Sequence, residues 1–154
     1  MENRVEILRG FIDALIANKE RGKYWYKEGH LHAVSCFTAM YAIKRNLDSE
    51  LAVMIGLLHD IHTLLADDST NHAELSSLKA RDILSSLKIV SDEELEIVCN
   101  AIKNHSSKDI IHDEYSELIK DADLSNNYFF NPSVPHVERG NARLEKLFDE
   151  LDLK

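Results

Sequence analysis

Apolar positions along this 154-residue chain recur at helical spacing in nearly every segment. Val5, Leu8, Ile12, Leu15 and Ile16 mark one face of an amphipathic first helix. KERGKYWYKEG interrupts the pattern, with Gly22 and Gly29 as breakers. From about His30, a wide apolar arc through Val34, Phe37, Met40, Tyr41 and Ile43 predicts a buried second helix. NLDSE closes it and offers Asp48 or Ser49 as the cap of a third helix, from Glu50 to about Asp60. That helix contains LAVMIGLL, is apolar all round, and belongs at the centre. A polar loop, LADDSTN, separates it from a fourth helix over about His72 to Leu87, with Leu75, Leu78, Ile83, Leu84 and Leu87 inward. Ser91 and Glu94 form a capping box that opens a fifth helix, whose face of Leu95, Val98 and Ile102 extends to His105. After SSKDIIHD, a sixth helix carries Tyr115, Leu118, Ile119 and Ala122, and NNYFFNPSVPH then reads as irregular. A last amphipathic helix, about 139–152, presents Leu144, Leu147, Phe148 and Leu151. The pattern predicts an all-α, compact single-domain bundle of about six or seven helices over residues 1–154, without repeats or linkers.

Composition narrows the function classes. Five glycines and two prolines are too few for a turn-rich β fold. A net charge of −9 argues against a nucleic-acid polymer as partner, which needs a basic surface. It leaves room for a small anionic ligand if a bound metal supplies local positive charge. Cys36 and Cys99 form no CxxC pattern and are expected to be free, buried thiols in a reducing compartment. MENRVEILRG lacks the apolar centre of a signal peptide, and LAVMIGLL is too short to span a bilayer. The expectation is a cytoplasmic protein without a membrane partner, with a homodimer among the assemblies open to it.

The central helix ends in His59 and Asp60, in GLLHDIHT. A histidine suits a helix C-terminus but an aspartate there opposes the dipole, so capping explains half of the pair. His30 opens the second helix, His72 the fourth, and His105 ends the fifth, while Asp121 and Asp123 sit in the sixth. Side chains at the ends of neighbouring helices can converge at one end of a bundle, where helical proteins build metal sites. Mixed imidazole and carboxylate suits a divalent transition metal (Mn, Fe, Zn, Ni or Co). Spacing alone leaves His30 against His32, and Asp121 against Asp123, undecided. The second His-Asp pair, His112-Asp113, precedes a helix, where Asp113 makes an ordinary N-cap.

The motifs in order resemble the HD-domain metal-dependent phosphohydrolases over about residues 28–125. EGHLHAVSCFTAMYAIKRNLDSELAVMIGLLHDI follows that pattern without a gap, and NHAELSSLKARDIL, AIKNHS and LIKDADLSNNY are similar to the motifs that follow. The resemblance implies a metal held by His30, His59, Asp60 and Asp123, choosing His30 and Asp123 from the two ambiguous pairs. It also implies that His72 and His105 bind a second metal or contact phosphate, so that one or two ions are present. The implied activity is cleavage of a phosphate ester of a small metabolite, a nucleotide by preference, by a metal-activated water, with Asp60 also orienting the nucleophile. Several nucleotide-cleaving members carry a glutamate where this chain has Thr63; Asp67 and Asp68 are candidate replacements. His62 stands where many members have glycine and has no assigned role. Trp25, Tyr26 and Lys27, and Tyr128, Phe129 and Phe130, are candidate substrate contacts, although packing is the better account of the aromatics in a protein this small. Lys120 or Lys27 would counter phosphate charge. Two other readings use the same residues: a di-iron oxygenase with all six ligands, and a non-catalytic metal-binding sensor or interaction module, for which Thr63 is the best argument.

Overall fold

The computed structural model describes residues 3–133, 137–138 and 141–153. Among these, the chain forms eight α-helices and no strand: α1 (Arg4–Ala17), α2 (Lys27–Lys44), α3 (Ser49–Leu58), α4 (Ile61–Ala66), α5 (His72–Leu87), α6 (Asp92–Asn104), α7 (Glu114–Phe129) and α8 (Ala142–Glu150). The all-α bundle is as expected, with one short helix more. That helix, α4, starts directly after the His59-Asp60 doublet and takes the first two residues of the expected LADDSTN loop. Residues 134–136, within the segment read as irregular, lie outside the described residues, as do 139–140 at the start of the expected last helix.

The starts of the helices follow from local chemistry. Asn3, Asp48, Asp113 and Asn141 accept hydrogen bonds from first-turn N–H groups, and Ser91 with Glu94 makes the reciprocal capping box. Asp113 therefore has the capping role expected of it. α2 begins three residues before His30, so Lys27 lies on its first turn. α7 runs to Phe129, through residues expected to be irregular, because Asn126 and Tyr128 are buried on its inner face. Polar composition hid that burial.

α3 is the hub, packing against α2, α6, α7 and α1, and α2, α6 and α7 close around it. Its residues Leu51, Ala52 and Met54 through Leu58 are all buried. A Cβ on Gly56 would stand 2.6 Å from the Ser35 Cα, so glycine is what lets α3 approach α2 backbone to backbone. By composition, Ser49–Ala66 could cross a membrane, but 72% of it is buried inside the protein, as for a core helix.

Three packing expectations change. Leu78 is 52% exposed rather than inward. The buried face of α5 joins Ala73, Ser76, Ser77 and Ala80, small residues that allow close approach, to Ile83 and Leu84, which are inward as expected. Ser76 Oγ accepts from the His62 backbone N–H and Ser77 Oγ donates to the Cys99 carbonyl, so these hydroxyls are satisfied inside. Ile43, at 73% exposure, also faces outward. Both cysteines are free, yet Cys36 is exposed and Cys99 alone is buried.

Candidate metal centre

The helix built for the core stops where its chemistry begins. α3 ends at Leu58, His59 keeps helical backbone angles, and Asp60 (φ −117°, ψ 19°) turns the chain into α4. His59 Nδ1 lies 2.8 Å from the Gly56 carbonyl, and His105, just after α6, repeats the arrangement at 2.7 Å from the Ile102 carbonyl. A carbonyl can only accept, so both rings carry their proton on Nδ1 and present a bare Nε2 inward. This is the tautomer that a metal ligand needs.

Four imidazoles and two carboxylates share the space. His30 Nε2 and His59 Nε2 stand 3.0 Å apart, and Asp60 Oδ2 lies 3.4 and 3.5 Å from them. Asp123 Oδ1 approaches the same two nitrogens at 3.3 and 3.9 Å. On the other side, Asp60 Oδ1 is 3.5 Å from His105 Nε2 and 3.7 Å from His72 Nε2. Two donor triads result, His30–His59–Asp60 and Asp60–His72–His105, each with ligand atoms within 4.8 Å of one another. Asp60 belongs to both, offering one oxygen to each.

The residues fit a divalent ion on this structure's own terms. Asp60 Oδ1 is buried and has no hydrogen-bond partner, an arrangement that costs a few kcal/mol unless something positive meets it. Nitrogens about 2.1 Å from one ion at right angles lie about 3 Å apart, the spacing seen between His30 and His59. The mixed imidazole and carboxylate donor set is compatible with a divalent metal ion.

Electrostatics keep the donors ready. Burial pushes His59 down to about 3, despite the nearby charge of Asp60, so the ring is neutral. His72 is also lowered by burial. Burial opposes ionisation of Asp60, but hydrogen bonding from His30 and the charge of the Lys27 ammonium hold it well below the carboxylate range. Asp123 is likewise depressed against its burial, by His30 and Lys108. His30 alone is raised, because hydrogen bonds to Asp123 and Asp60 outweigh its burial.

The other candidates sort by geometry. Lys27 Nζ reaches Asp60 Oδ2 at 2.6 Å and lines a cavity of about 500 Å³ together with Tyr26, His30, Asn126, Asn127 and Phe130. Trp25 is not part of it. Its ring lies under the Arg21 guanidinium and lines a separate hollow with Leu64. Tyr128 packs on Phe148 and Phe129 stacks on Phe37, so both are packing residues, whereas Phe130 is exposed beside the centre. Lys120 is fully buried, with Nζ on the Ile110 carbonyl, Glu117 and His112, and cannot meet a phosphate. Asp67 accepts from the Tyr24 N–H while holding the C-cap of α4, and Asp68 accepts from Thr70. Neither carboxylate has a contact with the six donors. Thr63 is buried with its hydroxyl unpartnered. His32 pairs at long range with Asp13, and Asp121 is bound by Arg45 and Arg143, so His30 and Asp123 are the members of their pairs that face the centre.

Two contacts had no forecast from the sequence. Asn126 Nδ2 lies 2.9 Å from His30 Nδ1, and Lys108 Nζ lies 2.5 Å from Asp123 Oδ2. Asn126 follows Asp123 by three residues on α7, the spacing of one helix face, which is the signal that points to it. Lys108 lies in a loop and has no such signal.

Searches of curated proteins and of solved structures return no match. The HD domain family model matches residues 28–128, from the turn before His30 to the end of the helix that carries Asp123 and Asn126. With its histidines, doublet and final aspartate gathered at one end of a helical bundle, the chain belongs to the HD domain family.

Proposed function

We propose that the protein is a metal-dependent phosphohydrolase acting on a phosphate ester of a small metabolite, with a nucleotide as the preferred class. The observation that carries this reading is the pair of donor triads joined through Asp60, beside a cavity that holds Lys27. His30, His59, Asp60 and Asp123 would hold one ion, and His72 and His105, with the second oxygen of Asp60, another. Metal bound there supplies Lewis acidity and lowers the pKa of water toward neutrality.

The chain's own residues supply the rest. Nδ1 bonds to the Gly56 and Ile102 carbonyls fix two imidazoles, so the donor set is preorganised. The Asn126 carboxamide, with Nδ2 at 2.9 Å from Nδ1, orients His30. Lys27 offsets phosphate charge at the cavity wall. Tyr26 and Phe130 give that cavity two aromatic walls, and Asn126 and Asn127 give it amide groups, a lining suited to a flat, hydrogen-bonding leaving group. With Thr63 in place of a carboxylate, protonation of the leaving oxygen falls to Lys27 or to solvent.

The test is release of inorganic phosphate from a panel of nucleoside monophosphates and simple phosphate esters by metal-loaded protein. Turnover lost in Asp60→Ala supports the reading. No release from any ester at full metal occupancy contradicts it and favours a non-catalytic metal-binding module. A di-iron oxygenase would use the same six donors and would reveal itself by a redox-active iron spectrum.

A further inference from the structure

Among the described residues, two ammonium groups touch the carboxylates of the centre, and only Lys27 was expected there. The other is Lys108, in the connection between α6 and α7. Lys27 holds Asp60 Oδ2 at 2.6 Å and Lys108 holds Asp123 Oδ2 at 2.5 Å. His30 Nε2 stands between the two carboxylates, 3.4 Å from Asp60 and 3.3 Å from Asp123. The two cations therefore flank the centre.

The connection that carries Lys108 is fixed by buried charge. The Lys108 carbonyl accepts from Arg143 of α8 at 3.3 Å, and Arg143 is itself held by Asp121 and Glu117. Two residues on, the Ile110 carbonyl accepts from Lys120 Nζ at 2.7 Å. Burying a lysine completely is costly unless its partners compensate, and here they include a backbone carbonyl of this loop. Lys120 thus acts on the site indirectly, by setting the loop. The Lys108 side chain is itself 35% exposed, so its ammonium can leave Asp123 toward solvent without crossing the core. A cation that shares Asp123 with a metal is held less firmly by it, and is then placed to meet an incoming anion.

The geometry points to Lys108 as a second phosphate-binding cation, which with Lys27 brackets the phosphoryl group of the substrate and of the product. The inference rests on the phosphohydrolase reading above. Its role is affinity for the anion, not retention of the metal.

Titration calorimetry of inorganic phosphate into Mn-loaded protein, with elemental analysis of the same samples, tests it. Lys108→Gln should weaken phosphate binding by about tenfold or more at unchanged metal content. Lys108→Arg, which keeps the charge, should stay within a few-fold of wild type. Lys79→Gln, on the exposed side of α5, should bind phosphate as wild type does. With a turned-over ester, Lys108→Gln should raise KM and leave kcat nearly unchanged. Wild-type phosphate affinity in Lys108→Gln overturns the inference and leaves the hydrolase reading intact. Loss of metal in that variant also overturns it, because Lys108 would then be a support for Asp123. If wild-type protein neither binds phosphate nor releases it from esters, the hydrolase reading fails as well.

Discussion

Asp60 serves both halves of the centre with one side chain, and the two halves should separate by mutation. Asp60→Ala should empty both, whereas His105→Ala should keep the ion of the His30–His59 half; metal counts on purified variants distinguish them. Asn126→Ala should weaken metal binding by about 10–100-fold without removing a ligand, as loss of an orienting partner does, measured by competition with a chelator. Protonation of His59 gives a second handle. The unfolded chain takes up a proton near pH 6.5 that the folded, metal-free protein refuses until about 3. Stability from this group is complete above pH 6.5 and is lost as pH falls toward 3, by about 1.4 kcal/mol per pH unit. Denaturant unfolding of metal-free His59→Gln between pH 7 and 4 should show that much less pH dependence than wild type. At this scale the sequence was informative where a residue closes a helix, as at His59 and His105. It was silent on Lys108, whose loop has no period, and it misdirected on Lys120, which lies one helical turn before Asp123 yet turns away from the centre toward Glu117 and the α6–α7 loop.

The meeting of α2 and α3 sets how near His30 comes to His59. Gly56→Ala should cost about 1–3 kcal/mol, because its Cβ would strike backbone at Ser35. Gly10→Ala, with nothing within 4 Å in α1, should gain about 0.5–1 kcal/mol; denaturant midpoints compare the two. Glu117 joins α7 to α8 and to the loop before it. Burial works against its charge, but Lys120, the His112 N–H and Arg143 prevail and pull it down to about 2. Its contribution is therefore present above pH 4.5 and disappears as pH falls toward 2. Glu117→Gln should be less stable than wild type at pH 7, by about 1.5–3 kcal/mol, and nearly equal to it close to pH 2. Periodicity located α1, α5 and α6 closely because each has a clear apolar stripe and a cap or breaker at its end. It shortened α7, whose buried Asn126 imitates a loop residue, and in α5 it put Leu78 inward, where the buried face runs from Ala73, Ser76, Ser77 and Ala80 to Ile83 and Leu84.

For the whole molecule, one bundle carries out two tasks that conflict. Its core must exclude water, and one end must hold six polar donors in the same interior. The conflict is eased by putting the donors at helix ends, where the backbone supplies free carbonyls to His59 and His105. On the proposed function, a net charge of −9 around a centre with Lys27 and Lys108 beside its carboxylates would favour a small anion reaching that end over a polyanion lying across the surface. Asp60 joins the two donor triads, one oxygen to each. Elemental analysis of wild type beside Asp60→Ala and His72→Ala, each reconstituted with Mn and desalted, addresses this directly. The expected result is two ions per chain in wild type, one in His72→Ala and none in Asp60→Ala. Full metal content in Asp60→Ala would contradict it.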